Sequence, residues 1–295
     1  MDLRHELDKA IRDAIRDKEG VKDSGYKYTY KRKDKEHEKT EPRYMTNEAW
    51  KAFLEDMERD YKHHYEAYKN GSGGEFNDSG HPPKMACFGS SSLFTYKLLR
   101  EYENIDFEHK LPTNVGGTAN LDAYLCCGNT DIFIEAKSRE IYVSADNTLK
   151  KTYIPVYQFI HEQFKAFDIN YEGEEVAQKG FKYNDKPVDA VDIKQLICHF
   201  LAISANYLNS DTAKNNIRFV FLIYNPYELK DYTKHYKAIH ERYEYTLEEV
   251  KSIDMGKLFE AVFKYQENRL NKHGKAMPNF EFKHADQHNI AESLK

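Results

Sequence analysis

Long apolar runs are missing from this 295-residue chain: the longest, Phe219–Tyr224, covers six positions, against about 20 for a membrane helix. The opening stretch MDLRHELDKAIRDAIRDKEG is charged throughout and has no apolar segment of the secretory type. Both absences lead to the expectation of a cytoplasmic protein with no membrane partner. Cysteine is scarce. The four present (Cys87, Cys126, Cys127, Cys198) form no CxxC pair, and the adjacent Cys126 and Cys127 point to opposite faces of a strand, so reduced thiols are expected and a structural zinc site is not. A basic excess is also missing: 44 Lys and Arg against 49 Asp and Glu give a net charge of −5. That excludes a general polyanion binder but leaves room for a local basic groove.

Familiar catalytic signatures are missing as well. No G-x-S-x-G elbow occurs, and Gly71-Ser-Gly-Gly74 lacks the lysine of a phosphate-binding loop. His161-Glu-Gln-Phe-Lys165 has lysine where a zinc protease needs its second histidine. No period of 20 to 50 residues recurs, which excludes solenoids and propellers. What is present is 40% hydrophobic and 14% aromatic residues, enough for a core, beside 32% charged residues for a solvated surface.

The periodicities divide the chain at about residue 80. Residues 1–80 read as a helical amino-terminal region. One helix carries Leu3, Leu7, Ile11, Ala14 and Ile15. A second, capped by Thr46, runs to Asn70 with Trp50, Phe53, Leu54, Met57, Tyr61, Tyr65 and Tyr68 as its core stripe. Between them Tyr26, Tyr28 and Tyr30 alternate ahead of a charge run, as in a short strand or hairpin, a solvated surface or an arm over nucleic acid. A Gly/Ser-rich loop then leads to Pro83. From Ser90 the reading is a helix, three strands (Ile105–Leu111, Thr118–Leu125, Asp131–Lys137), a helix over 155–166, an excursion or hairpin over 170–190, a helix over 192–208 and a doubly buried strand at Ile217–Tyr224. Thr246-Leu-Glu-Glu249 reads as a capping box opening one of the closing helices. The order implies an α/β fold with a crossover between the last two strands.

Chemistry concentrates on two of these strands. Strand parity puts Leu121, Ala123 and Leu125 on one face and Asp122 on the other. On the next strand it puts Glu135 and Lys137 together, about 6.6 Å apart. Alignment of the apolar faces brings Asp122 beside Glu135, two carboxylates and an ammonium at the end of a sheet. Mg²⁺ takes such oxygen ligands with water and a substrate phosphate, and a lysine beside it can orient or help deprotonate the attacking water. The alternative is a structural ion cluster. On the helix over 192–208, Gln195 and His199 share a face.

Asp122, the Glu135-Ala-Lys137 element and the helix and strand that follow resemble the PD-(D/E)XK nuclease superfamily over about Ser90–Tyr224. FGSSSLFTYKLL, FEHKLPTNVGGTANLDAYL and DIFIEAKSRE are similar to a bacterial family of restriction-type endonucleases. The resemblance implies a restriction-endonuclease-like core, a mixed central sheet flanked by helices over 81–295, with a helical carboxy-terminal extension. It implies Mg²⁺-dependent hydrolysis of DNA, with Mn²⁺ as a substitute, in a restriction or defence setting. Asp122, Glu135 and the Ala136 carbonyl would hold the metal and Lys137 would act on the water. Gln195 would approach the site, while Arg139 and His199 would contact phosphate. Leu121 replaces the motif's proline, and Glu101, Glu103 and Glu108 are the candidates for a further acid. A catalytically inactive nucleic-acid-binding or protein-interaction module on the same fold is the rival reading, and a homodimer is left open.

Overall fold

A computed structural model describes residues 2–19, 25–32, 35–71, 74–76, 81–143, 151–169, 181–212 and 214–295. The amino-terminal part forms α1 (Leu3–Glu19), the paired strands β1 (Tyr26–Arg32) and β2 (Lys35–Glu41), then α2 (Asn47–Asp60) and α3 (Lys62–Lys69). Next come α4 (Ser91–Leu99) and the antiparallel strands β3 (Asp106–Pro112), β4 (Thr118–Cys127) and β5 (Thr130–Lys137). α5 (Ile154–Gln163) precedes a small sheet of β6 (Phe167–Ile169), β7 (Phe181–Tyr183) and β8 (Lys186–Val188). α6 (Ile193–Asn209), β9 (Asn216–Ile223), α7 (Tyr236–Ser252), α8 (Met255–Leu270), β10 (Asn279–Ala285) and α9 (Ile290–Ser293) complete the order.

The central sheet is mixed, in the order β10-β9-β5-β4-β3, with β9 parallel to both β5 and β10. A parallel pair needs a long crossover, and here α5 and α6 lie between β5 and β9 in the chain. Helices cover both faces. Phe219, Phe221 and Ile223 of β9 pack in one core with α6, α8 and Leu7, Ala10, Ile11 and Ala14 of α1. Val220 and Leu222 pack in the other core with Trp50 and Met57 of α2, Tyr68 of α3 and Leu93, Tyr96 and Leu99 of α4. β9 is therefore apolar at nearly every position because both of its faces are covered. No helix among the described residues is long and apolar enough to cross a membrane.

Several local expectations need correction. The helix expected from Thr46 to Asn70 begins as anticipated, with the Thr46 hydroxyl accepting the Ala49 N–H at 3.0 Å. It breaks at Tyr61 (φ −138°, ψ 51°) into α2 and α3. The 1–80 region is not purely helical, because the tyrosine alternation and the charge run pair as β1 and β2. The hairpin expected over 170–190 is β7 and β8, and residues 170–180 lie outside the described set. Thr246 caps nothing: it lies inside α7 and its hydroxyl donates to the Arg242 carbonyl at 2.9 Å. Glu249 instead accepts the N–H groups of Asp189, Ala190 and Val191 at 2.8–3.1 Å, fixing the approach to α6. β10, with Phe280 and Phe282 on its inner side, falls where only helices were expected.

Strand parity also fails at one point. Leu121 packs in the core with Phe133 and Phe219, whereas Ala123 and Leu125 pack in the opposite core with Ile132 and Ile134. On β3, Phe107 and Leu111 divide between the two cores in the same way. Both strands switch faces at the level of Glu108 and Asp122. Glu108 has a left-handed backbone (φ 53°), and the ladder pairs its neighbours but not 108 with 122.

Candidate active site

That irregularity sits at the floor of a cavity of about 190 Å³. Glu75, Ser91, Ser92, Glu108, Asn120 and Leu121 line it together with Asp122, Glu135, Ala136, Lys137 and Gln195. The β4–β5 ladder stops at Ala123 and Ile134. One residue further the Asp122 carboxylate replaces a backbone acceptor, taking the Ala136 N–H on Oδ2 at 2.7 Å. Asp122 and Glu135 therefore meet at one opening instead of on opposite faces, and the space between them is polar.

Glu135 is 2% exposed. Its Oε1 accepts from the Lys137 ammonium at 2.5 Å, and the same ammonium donates to Gln195 Oε1 at 2.7 Å. Gln195 reaches the site from the first turn of α6, whose start is capped by the Asp192 carboxylate accepting the Gln195 N–H at 3.0 Å. One α6 turn later, His199 Nε2 lies 2.9 Å from Glu135 Oε2. Neither of those two atoms has a hydrogen bond of good geometry among the described residues, where this oxygen is a buried, under-satisfied acceptor.

The charges settle unequally. Burial works against the Glu135 carboxylate, but the Lys137 and His199 charges outweigh it and hold the group down at about 2. Burial likewise opposes the charge on Lys137, and the surrounding Glu135, Glu140 and Asp122 carboxylates overcome it, raising its pKa. Asp122 goes the other way: burial first, and then the Glu135 charge, push its carboxyl well above the ordinary range. Glu108 is raised to about 7 by burial and then by Glu75, and Glu75 is raised chiefly by burial. Four carboxyl groups thus crowd a small cavity with one ammonium, a field that favours a cation.

Of the candidate acids, Glu108 lines the cavity. Glu101 instead accepts the Tyr61 hydroxyl at 2.6 Å on the surface, and Glu103 is exposed. Arg139, expected at a phosphate, extends from the end of β5 toward α1. Its Nη1 lies 3.4 Å from Oδ2 of the fully buried Asp8, which Arg43 also reaches at 3.2 Å. It clamps α1 to the strand carrying the site. His199, also expected at a phosphate, is 1% exposed and stands behind Glu135. Sequence reasoning missed Glu75, Ser91 and Ser92. Glu75 follows a glycine-rich loop whose course no local pattern reveals, while the two serines were read only as the start of the helix from Ser90.

The donor set fits a hard divalent cation: carboxylate oxygens dominate, with no thiol among the lining residues. Among the described residues no three His, Cys, Asp or Glu side chains form a ready metal-binding group. Mg²⁺ commonly needs only one or two carboxylates, the remainder being water and substrate oxygens. No family model, curated protein or solved structure matches the chain.

Proposed function

We propose that the protein is a cytoplasmic, Mg²⁺-dependent endonuclease of the PD-(D/E)XK type that hydrolyses DNA phosphodiester bonds on a restriction-endonuclease-like core. The observation that carries this reading is the gathering of Asp122, Glu135, Ala136, Lys137 and Gln195 around one polar cavity. Asp122, Glu135 and the Ala136 carbonyl are the groups to hold the ion. Mg²⁺ there would supply Lewis acidity toward a phosphate and a bound water of lowered pKa. Lys137, with its raised pKa, is an ammonium at neutral pH, so its part is to orient the water and offset charge on the phosphate, not to take a proton. Gln195 holds that ammonium in place from α6. Purified protein incubated with plasmid and linear DNA should cleave in Mg²⁺ or Mn²⁺ and not in EDTA. Cleavage that survives in both Lys137→Ala and Asp122→Ala protein refutes the assignment.

A catalytically inactive nucleic-acid-binding or protein-interaction module on the same fold is the second reading. It draws on the lack of a three-ligand group among the described residues. Calorimetric titration separates the two, since this reading requires no Mg²⁺ or Mn²⁺ uptake that depends on Asp122 and Glu135.

A further inference from the structure

The cavity leaves the β1–β2 ribbon unused. Residues 26–43 carry seven Lys and Arg against four Asp and Glu, in a chain whose net charge is −5. The register sorts them by face. Lys27, Thr29 and Lys31 stand opposite Thr40, Glu38 and Glu36, so this face sets two lysines among two glutamates. Tyr28 and Tyr30 stand opposite Lys39 and His37 on the other face, with Lys35 at its far end. Its one acid, Glu41, is already engaged by Arg43 at 2.9 Å and Lys39 at 3.3 Å.

The second face is also a row of rings. Tyr28 and Tyr30 are 6.2 Å apart between centroids, and His37 stacks on Tyr30 at 5.5 Å. His81, from the loop after α3, adds a ring 6.2 Å from Tyr28. Tyr28 rests partly on the core, whereas Tyr30 belongs to neither core cluster among the described residues and meets the rings of Tyr28 and His37 instead. Flat rings interleaved with Lys35 and with Lys39, which shares its one carboxylate neighbour Glu41 with Arg43, match a polyanion that also presents flat faces.

We infer that the Tyr28–Tyr30–His37 face of the ribbon binds single-stranded nucleic acid, bases stacking on the rings and phosphates meeting Lys35 and Lys39. The inference does not depend on hydrolysis in the cavity, because it is tested in EDTA. The probe is a labelled (dT)20 oligonucleotide, read by fluorescence anisotropy over a salt series with the full chain. Tyr30→Ala should weaken binding about tenfold and Tyr30→Phe should keep it within about twofold, since stacking needs the ring and not the hydroxyl. Two double variants with the same charge change test the face. Lys35→Glu with Lys39→Glu should weaken binding several-fold more than Lys27→Glu with Lys31→Glu and should flatten the salt dependence by about 1.4 in log–log slope. All four lysines are exposed, so these proteins should fold as the wild type does.

Equal losses from the two double variants would reduce the effect to overall charge and overturn the inference. So would Tyr30→Ala protein that binds as well as wild type, or wild-type protein that ignores (dT)20 at low salt. Phosphatidylserine vesicles that bind with the same dependence on Tyr30 and Lys35/Lys39 would assign the face to a membrane surface and equally overturn it. Cleavage of plasmid DNA bears on none of these outcomes.

Discussion

Asp122→Asn should make the metal-free protein more stable while removing its capacity for Mg²⁺. Asn keeps an oxygen for the Ala136 N–H that Asp122 Oδ2 now accepts at 2.7 Å, so the variant isolates charge. Two carboxylates on neighbouring strands, taken at the strand spacing of about 5 Å, repel by about 3 kcal/mol at an effective dielectric constant of about 20. The Lys137 ammonium offsets part of this, leaving about 1–2 kcal/mol, or a rise of about 2–4 °C in the unfolding midpoint for a chain of this size. The pH dependence has a definite sign. The Asp122 carboxyl is raised in the fold by burial and by Glu135. Below its ordinary value of 3.8 it therefore costs nothing, and the cost grows as pH rises above 3.8. The difference between variant and wild type should be near zero at pH 4 and largest at pH 8. Thermal unfolding followed by circular dichroism in EDTA measures it. Added Mg²⁺ should then stabilise the wild type and not Asp122→Asn protein, narrowing or reversing the order. A variant that melts at or below the wild-type temperature at pH 8 in EDTA would show that Asp122 is not strained by its neighbours.

His64 is 1% exposed, and burial, reinforced by His63, lowers its pKa from 6.5 to about 4. Its ring stacks on Tyr61 at 5.6 Å and meets Phe107 edge-on at 4.8 Å, with neither nitrogen hydrogen-bonded among the described residues. A lowered histidine contributes fully above its unfolded pKa, so the wild type should lose about 3 kcal/mol as pH falls from about 6.5 to about 4. His64→Phe protein should lose that much less over the same interval, as urea midpoints at pH 7 and 4.5 would read. Glu249→Ala removes the acceptor of three N–H groups ahead of α6. Because the site is half-buried and water can partly replace it, the expected cost is about 1–2 kcal/mol, with a loss of cleavage as Gln195 loosens. An unchanged urea midpoint would count against this role.

What the sequence disclosed depended on how local each cause was. α6 and β9 were legible because burial writes its own period: every third or fourth residue apolar on the helix, nearly every residue on a strand covered on both faces. The meeting of Asp122 with Glu135 was legible because β4 and β5 are consecutive and antiparallel, which leaves little freedom in their register. β10 was not: Phe280 and Phe282 alternate inside a charged stretch, and only a neighbour 63 residues earlier, Phe219 for Phe282, makes it a strand. The break at Tyr61 carries no glycine or proline. Glu249 was seen but misread, since a Thr-x-x-Glu spacing cannot tell a cap from a contact to another segment.

The least legible feature is the one that makes the site. Regular pairing through Glu108, Asp122 and Glu135 would have saturated the backbone groups at this end of the sheet and turned alternate side chains predictably outward. Instead Glu108 takes a left-handed backbone that a bulky residue adopts only at a cost. Its pair with residue 122 is lost, and Asp122 spends a carboxylate oxygen on an N–H that a strand would otherwise satisfy. The result is an opening in the sheet with acidic groups on its wall. An ordinary core would close such a gap with Val or Ile on both strands and gain stability by it. A chain that instead leaves the gap lined by Glu75, Glu108, Asp122 and Glu135 keeps a local penalty that protonation or a cation would relieve. This is the physical reason to look for the protein's chemistry here and not in its larger surface clefts.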